Sequence, residues 1–110
     1  MEKDGKVVLL NALVTSSRVP MTLRTKPMSI EEARDMVSAR EIVSFIGHEA
    51  TAQILTALFN VPVPVNRGMY DPKPNEVAIV VRLKKRLEKP DDVKDVKPED
   101  IEFILVEYLR

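Results

Sequence analysis

Apolar residues along this chain fall into blocks whose spacing predicts interleaved strands and helices. Lys6 to Val14 (KVVLLNALV) is an apolar, β-branched run interrupted by Asn11, the pattern of a central strand buried on both faces. A polar amide inside such a run must find partners or face a site. After a polar break at Ser16 to Pro20, Met21, Leu23 and Thr25 alternate with Thr22, Arg24 and Lys26, predicting a half-exposed strand ended by Pro27. Ser29-Ile30-Glu31-Glu32 fits a capping box and predicts a helix from about Ile30 to Ala39, with Ile30, Ala33, Met36 and Val37 on one stripe.

Glu41 to Ile46 (EIVSFI) reads as a short strand, Gly47-His48 as a turn, and Ala50 to Asn60 as a helix with Ile54, Leu55 and Leu58 on one face. Val61 to Gly68 (VPVPVNRG) is a proline-stiffened connection, and Asp71 to Glu76 (DPKPNE) is a second proline-rich loop. Glu76 to Leu83 is the clearest buried strand. A cationic stretch, Lys84 to Lys89, follows it. The charged segment PDDVKDVKPED, with a helical turn after Pro98, leads to a final strand at Ile101 to Leu109. No repeat and no dividing linker interrupts this order, so residues 1–110 read as a single α/β domain: a mixed sheet of about five strands with helices packed on it.

Composition narrows the chemistry. The 110 residues contain no cysteine and one histidine, which excludes a disulfide framework and argues against a protein-built zinc site. No motif calls for a metal or another cofactor. Lysine plus arginine equals aspartate plus glutamate at 17 each, so a uniformly basic surface for duplex DNA is not expected, although a local basic pocket is permitted. The charged start of the chain does not resemble a signal peptide, and no apolar run approaches the roughly 20 residues of a spanning helix. The expectation is a cytoplasmic protein with no membrane partner.

The stretch FIGHEAT, Phe45 to Thr51, holds the sole histidine at an expected strand–helix junction. A helix start presents unpaired N–H groups and partial positive charge, a natural seat for phosphate. Gly47 would permit a tight turn and close approach of a ligand. Asn66-Arg67 after the proline loop, and Arg86 with Glu88 after the strand, are further candidates, because arginine matches phosphate bidentately. Such a set suits cleavage of an RNA phosphodiester in which the substrate's own 2′-hydroxyl attacks. The protein then aligns the sugar, steadies the phosphorane and protonates the leaving 5′-oxygen. His48 is the plausible proton donor near neutral pH. Each feature also has an ordinary structural reading: a turn histidine, a plain Asn-Arg-Gly turn, a solvated charged stretch. Taken singly, those readings outweigh the functional ones.

Their order changes the balance. LLNAL on the first strand, IGHEAT at the strand–helix junction, NRG after a loop, and RLEK after an apolar strand together resemble a small family from archaeal viruses and mobile elements. That family includes the viral anti-CRISPR ring nucleases directed against type III CRISPR immunity. The resemblance spans roughly Val7 to Lys89. It implies a homodimer with a mixed, largely parallel sheet and flanking helices. It also implies cyclic tetra-adenylate bound at the dimer interface and cut without metal to linear di-adenylates with cyclic 2′,3′-phosphate ends. By that similarity His48 is the general acid, Arg86 holds or polarises phosphate, and Glu88 orients neighbouring groups. Asn11, Thr51, Asn66 and Arg67 line the ring's binding site. Val14 stands where viral members carry serine, which moves the expected hydroxyl contact to Ser16. Arg82 replaces a glutamine and adds a cation, and Lys89 replaces a second acid. The competing reading is a non-catalytic viral regulator that binds nucleic acid or a cyclic nucleotide.

Overall fold

Val7, Val8, Leu9 and Leu10 are all shut off from solvent, and the fold is arranged around that fact. The computed structural model describes residues 5–14, 20–84 and 96–109. Within them, strands Lys6–Leu10 (β1), Thr22–Met28 (β2), Glu41–Phe45 (β3), Val77–Leu83 (β4) and Ile101–Leu109 (β5) form one sheet in the order β2-β5-β4-β1-β3. Helices Ile30–Ala39 (α1) and Glu49–Phe59 (α2) complete the α/β fold, and a 3₁₀ turn at Pro98–Asp100 leads into β5. The sheet is mixed: β1 pairs in parallel with β3 and β4, whereas β5 pairs antiparallel with β4 and β2.

The period-2 alternation of β1 sorts its side chains into two cores. Val7 and Leu9 join Ile79, Val81, Phe103 and the buried faces of both helices. The stripe on α1 is confirmed, with Ala33 and Val37 buried and Ile30 and Met36 packed against the same cluster. The capping box is fully formed. Glu32 N–H donates to Ser29 Oγ at 3.1 Å, and Ser29 N–H donates to Glu32 Oε1 at 3.0 Å. Those bonds hold the Glu32 carboxyl below its ordinary pKa. The end of α2 is tied to α1 by Arg34, whose Nε donates to the Leu58 carbonyl at 2.7 Å.

Val8 and Leu10 point the other way, toward Ala78, Val80, Val106 and Tyr108. Among the described residues no helix covers this face. Val14 and Tyr70 fold over it instead. Tyr108 is fully buried, and its hydroxyl donates to the Val14 carbonyl at 2.7 Å. Tyr70 donates to Glu76 Oε1 at 2.8 Å, and its ring meets Phe45 and Tyr108.

Two expected boundaries shift for physical reasons. The first strand ends at Leu10 rather than Val14, because residues 11–14 leave the ladder and turn onto the second face. Pro27 lies inside β2 instead of ending it. β2 is an edge strand, where a missing N–H is tolerated.

The second face makes an optical prediction. Tyr70 and Tyr108 are the only tyrosines, and the chain has no tryptophan. Burial is the main cause that pushes both phenols above their ordinary value, with Glu76 adding to it. Raised pKa values mean that this contribution to stability is complete below a pH of about 10 and is lost as pH rises through the folded values. At about pH 10.5 the folded protein should therefore show much less tyrosinate absorbance at 295 nm than the urea-unfolded chain. Equal absorbance would contradict the buried placement of both rings.

Candidate functional site

The parallel register brings the ends of three strands together. Leu10 lies beside Phe45 on one side and Val80 on the other, so Asn11, Ile46-Gly47-His48 and Arg82 all emerge at the carboxyl edge of β1, β3 and β4. In open α/β sheets this edge is the usual ligand-binding side. Neighbouring strands lie about 4.8 Å apart, so β3 and β4 carry their residues across roughly 10 Å.

His48 is the N-cap residue of α2, with extended backbone and an exposed side chain. Its carbonyl accepts the Ala52 N–H at 3.0 Å, the first bond of the helix. Its imidazole makes no capping hydrogen bond, unlike the side chain of Ser29 at the start of α1. The ring is thus presented to solvent beside the N–H groups of the first helical turn. Thr51 lies in that turn but is buried at 6% exposure, beneath the surface that His48 presents.

Asn66 and Arg67 reach the same edge by an unusual route. Val63 belongs to the core under the helices and Tyr70 to the core on the opposite face. The chain therefore crosses over the end of β3 at residues 64–68. Asn66 N–H donates to the Ile46 carbonyl at 2.9 Å, and Arg67 Nε donates to the Gly47 carbonyl at 3.2 Å. Arg67 is exposed and one peptide away from His48. The Asn66 amide is engaged within the chain: Nδ2 donates to the Ser44 carbonyl at 3.0 Å, and Oδ1 accepts Gly68 N–H at 2.9 Å.

On the other side of this crossing, Asn11, Phe45, Gly68 and Tyr70 line an open cavity of about 250 Å³ with Leu10 and Met69. Met69, one of the lining side chains, is 96% exposed. Arg82 is exposed and stands directly across from Glu102 of β5. Ser16, Arg86 and Glu88 lie outside the described residues. Lys84, the last described residue before 85–95, sits at the carboxyl end of β4, where its N–H donates to the Asp100 carbonyl at 2.7 Å. Among the described residues no three histidine, aspartate or glutamate side chains are grouped as metal ligands, and no helix is long and apolar enough to cross a membrane.

Sequence reasoning missed Ser44. This serine is buried at 7% exposure. Its hydroxyl donates to the Pro64 carbonyl at 2.6 Å and accepts the Ile46 N–H at 3.2 Å. Its signal was a lone hydroxyl in the apolar strand just before Gly47-His48.

A sequence model of the STIV B116-like family matches residues 7–108. The chain belongs to this STIV B116-like family. Its relatives include "Uncharacterized protein 26" of Sulfolobus islandicus filamentous virus (isolate Iceland/Hveragerdi), 35% identical over 75 residues. That alignment covers 68% of this chain and 64% of the viral protein, so just under two thirds of the relative's length is spanned. "Uncharacterized protein ORF117" of Acidianus two-tailed virus is 35% identical over 92 residues, covering 81% of this chain and 79% of its own. The solved structure of B116 from Sulfolobus turreted icosahedral virus superposes with a TM-score of 0.69 over 93% of this chain and 98% of that one. At 22% identity it supports the B116-like fold alone.

The two site glycines of this B116-like chain differ in what they tolerate. Gly47 has no left-handed backbone, contrary to the tight turn expected of it, and a methyl there would meet Arg67 Cγ at an ordinary 3.8 Å. A methyl on Gly68 would meet Asn66 Oδ1 at 3.0 Å, an atom already fixed by hydrogen bonding. In urea unfolding, Gly47→Ala should change stability by less than about 0.5 kcal/mol, and Gly68→Ala should cost about 1 kcal/mol or more. The reverse ranking would refute the crossing geometry.

Proposed function

We propose that this protein is a metal-independent ring nuclease that opens cyclic tetra-adenylate, the second messenger of type III CRISPR immunity. The carrying observation is an exposed, uncapped His48 at the start of α2 with the exposed Arg67 bonded to the adjacent Gly47 carbonyl. The ordered motifs described above supply the substrate. Membership of an archaeal-virus family suits a role against host immunity.

In this reading Arg67 and the first-turn N–H groups of α2 hold the phosphate, because both favour anions. The ribose 2′-oxygen attacks phosphorus and gives up its proton to solvent. The bond from phosphorus to the 5′-oxygen breaks, and His48 in its imidazolium form protonates the departing oxygen. The product end is a 2′,3′-cyclic phosphate, and two such events convert the ring into two di-adenylates. Arg86 and Glu88 are proposed to support the phosphate and the groups around it, and Arg82 to add positive charge. Asn11 and Ser16 are proposed as contacts to the ring. A homodimer with the ligand at its two-fold is the matching assembly, because a ring with four-fold chemical symmetry offers equivalent phosphates to both subunits.

Incubation of the purified protein with cyclic tetra-adenylate and EDTA should give linear di-adenylates with cyclic phosphate ends. Ring left intact at stoichiometric protein would sink the proposal, and tight binding without cleavage would favour a nucleotide-sequestering regulator instead. His48→Ala should keep binding and lose roughly 10²–10⁴-fold in turnover, the usual effect of removing a general acid. Full turnover in that variant would remove His48 from the role.

A further inference from the structure

We infer that Ser44 and Asn66 are positioning residues, forming a polar clasp that sets Arg67 beside Gly47-His48. The clasp joins two segments, 44–47 and 64–68, at the point where the chain passes from one face of the sheet to the other. The Ser44 hydroxyl donates to the Pro64 carbonyl at 2.6 Å and accepts the Ile46 N–H at 3.2 Å. Asn66 answers with its own backbone and side chain, donating to the Ile46 carbonyl at 2.9 Å and to the Ser44 carbonyl at 3.0 Å. Its Oδ1 then accepts Gly68 N–H at 2.9 Å and closes the turn on the far side of Arg67.

The arrangement answers a physical need. Residues 61–68 contain neither helix nor strand, and Pro62 and Pro64 cannot donate backbone hydrogen bonds. Without other anchors the segment would leave Arg67 to sample many positions. The clasp fixes the residues on both sides of Arg67, and the Gly47 carbonyl then takes its Nε–H. A guanidinium held through Nε still has the N–H groups of its two terminal nitrogens to offer, the geometry for two-point contact with an anion. Ser44 and Asn66 therefore act through Arg67, and neither needs to touch the ligand. The structural part of this inference stands on the hydrogen bonds alone; its catalytic consequence rests on the proposed nuclease reading.

The test has an arm that does not depend on activity. In ¹H–¹⁵N spectra the Arg67 Nε–H should exchange with solvent at least about tenfold more slowly than that of Arg24, a solvent-exposed arginine on β2. Ser44→Ala and Asn66→Ala should each bring the Arg67 rate to that of Arg24, whereas Ser44→Thr, which keeps the hydroxyl, should preserve protection. Asn66 is exposed, so its variant keeps the inference testable even if the buried Ser44→Ala fails to fold. An unchanged Arg67 signal in folded Asn66→Ala overturns the inference.

The second arm is a double-mutant cycle on ring cleavage. Asn66→Ala should lower kcat by about 10- to 100-fold, the scale of a small misplacement in a site. Combined with Arg67→Ala, it should cause little further loss. Independent, multiplying losses would show that Asn66 does not act through Arg67. If the wild-type protein leaves the ring intact while the Arg67 signal behaves as stated, the nuclease reading fails and the clasp stands.

Discussion

The structure depends on a strand that cannot face water on either side. Val7 to Leu10 lie buried between β3 and β4, and such a strand is stable only with a cover on each face. The two helices provide the first cover. The second is built from pieces of loop: Val14, pinned by the Tyr108 hydroxyl, and Tyr70, pinned by Glu76. A loop that serves as a lid must leave the helix face and pass over an end of the sheet. It does so at residues 64–68, over the end of β3. The core requirement thus delivers Asn66 and Arg67 to the edge where the strand–helix junction already holds His48.

That dependence explains which parts of the fold were legible in the sequence. Local signals read correctly. The Ser29–Glu32 capping box fixed α1 at its true start, and the mostly apolar run Ile101–Leu109, broken by Glu102 and Glu107, marked β5 along its whole length. Errors arose where tertiary context overruled a run of residue types. The apolar stretch from Lys6 continued to Val14 on paper, yet residues beyond Leu10 cover the sheet instead of extending it. Pro27 looked like a terminator because periodicity carries no information about which strand forms an edge. Strand order, with β1 between β3 and β4, was also hidden, since pairing is decided by partners distant in sequence.

The candidate site shows the same division. His48 at a helix start was readable because strand, turn and helix are contiguous. Asn66 was readable as a residue type, but its engagement was not: an Asn-Arg-Gly triplet does not disclose that the amide reaches back 22 residues to Ser44. Ser44 itself gave a weak signal, because one hydroxyl in EIVSFI is compatible with any half-buried strand. Gly47 was overread. Its position before the histidine suggested a tight turn, whereas its backbone is not left-handed and its carbonyl, rather than its missing side chain, engages Arg67.

A reaction with a nucleophile supplied by its substrate asks little chemistry of the protein and much geometry. One proton donor and one or two cations suffice if their positions are held, because misplacement by an ångström costs more than the loss of a weak contact. His48 inherits its position from the start of α2, whose direction is fixed by Ala52, Ile54, Leu55 and Phe59 in the core. Arg67 has no such scaffold, since its segment carries no repeating backbone pattern. The hydrogen bonds of Ser44 and Asn66 supply for Arg67 what the helix supplies for His48. Two groups from different kinds of structure are thereby referred to the same short stretch of backbone, Ile46-Gly47, whose carbonyls anchor one and whose continuation is the other.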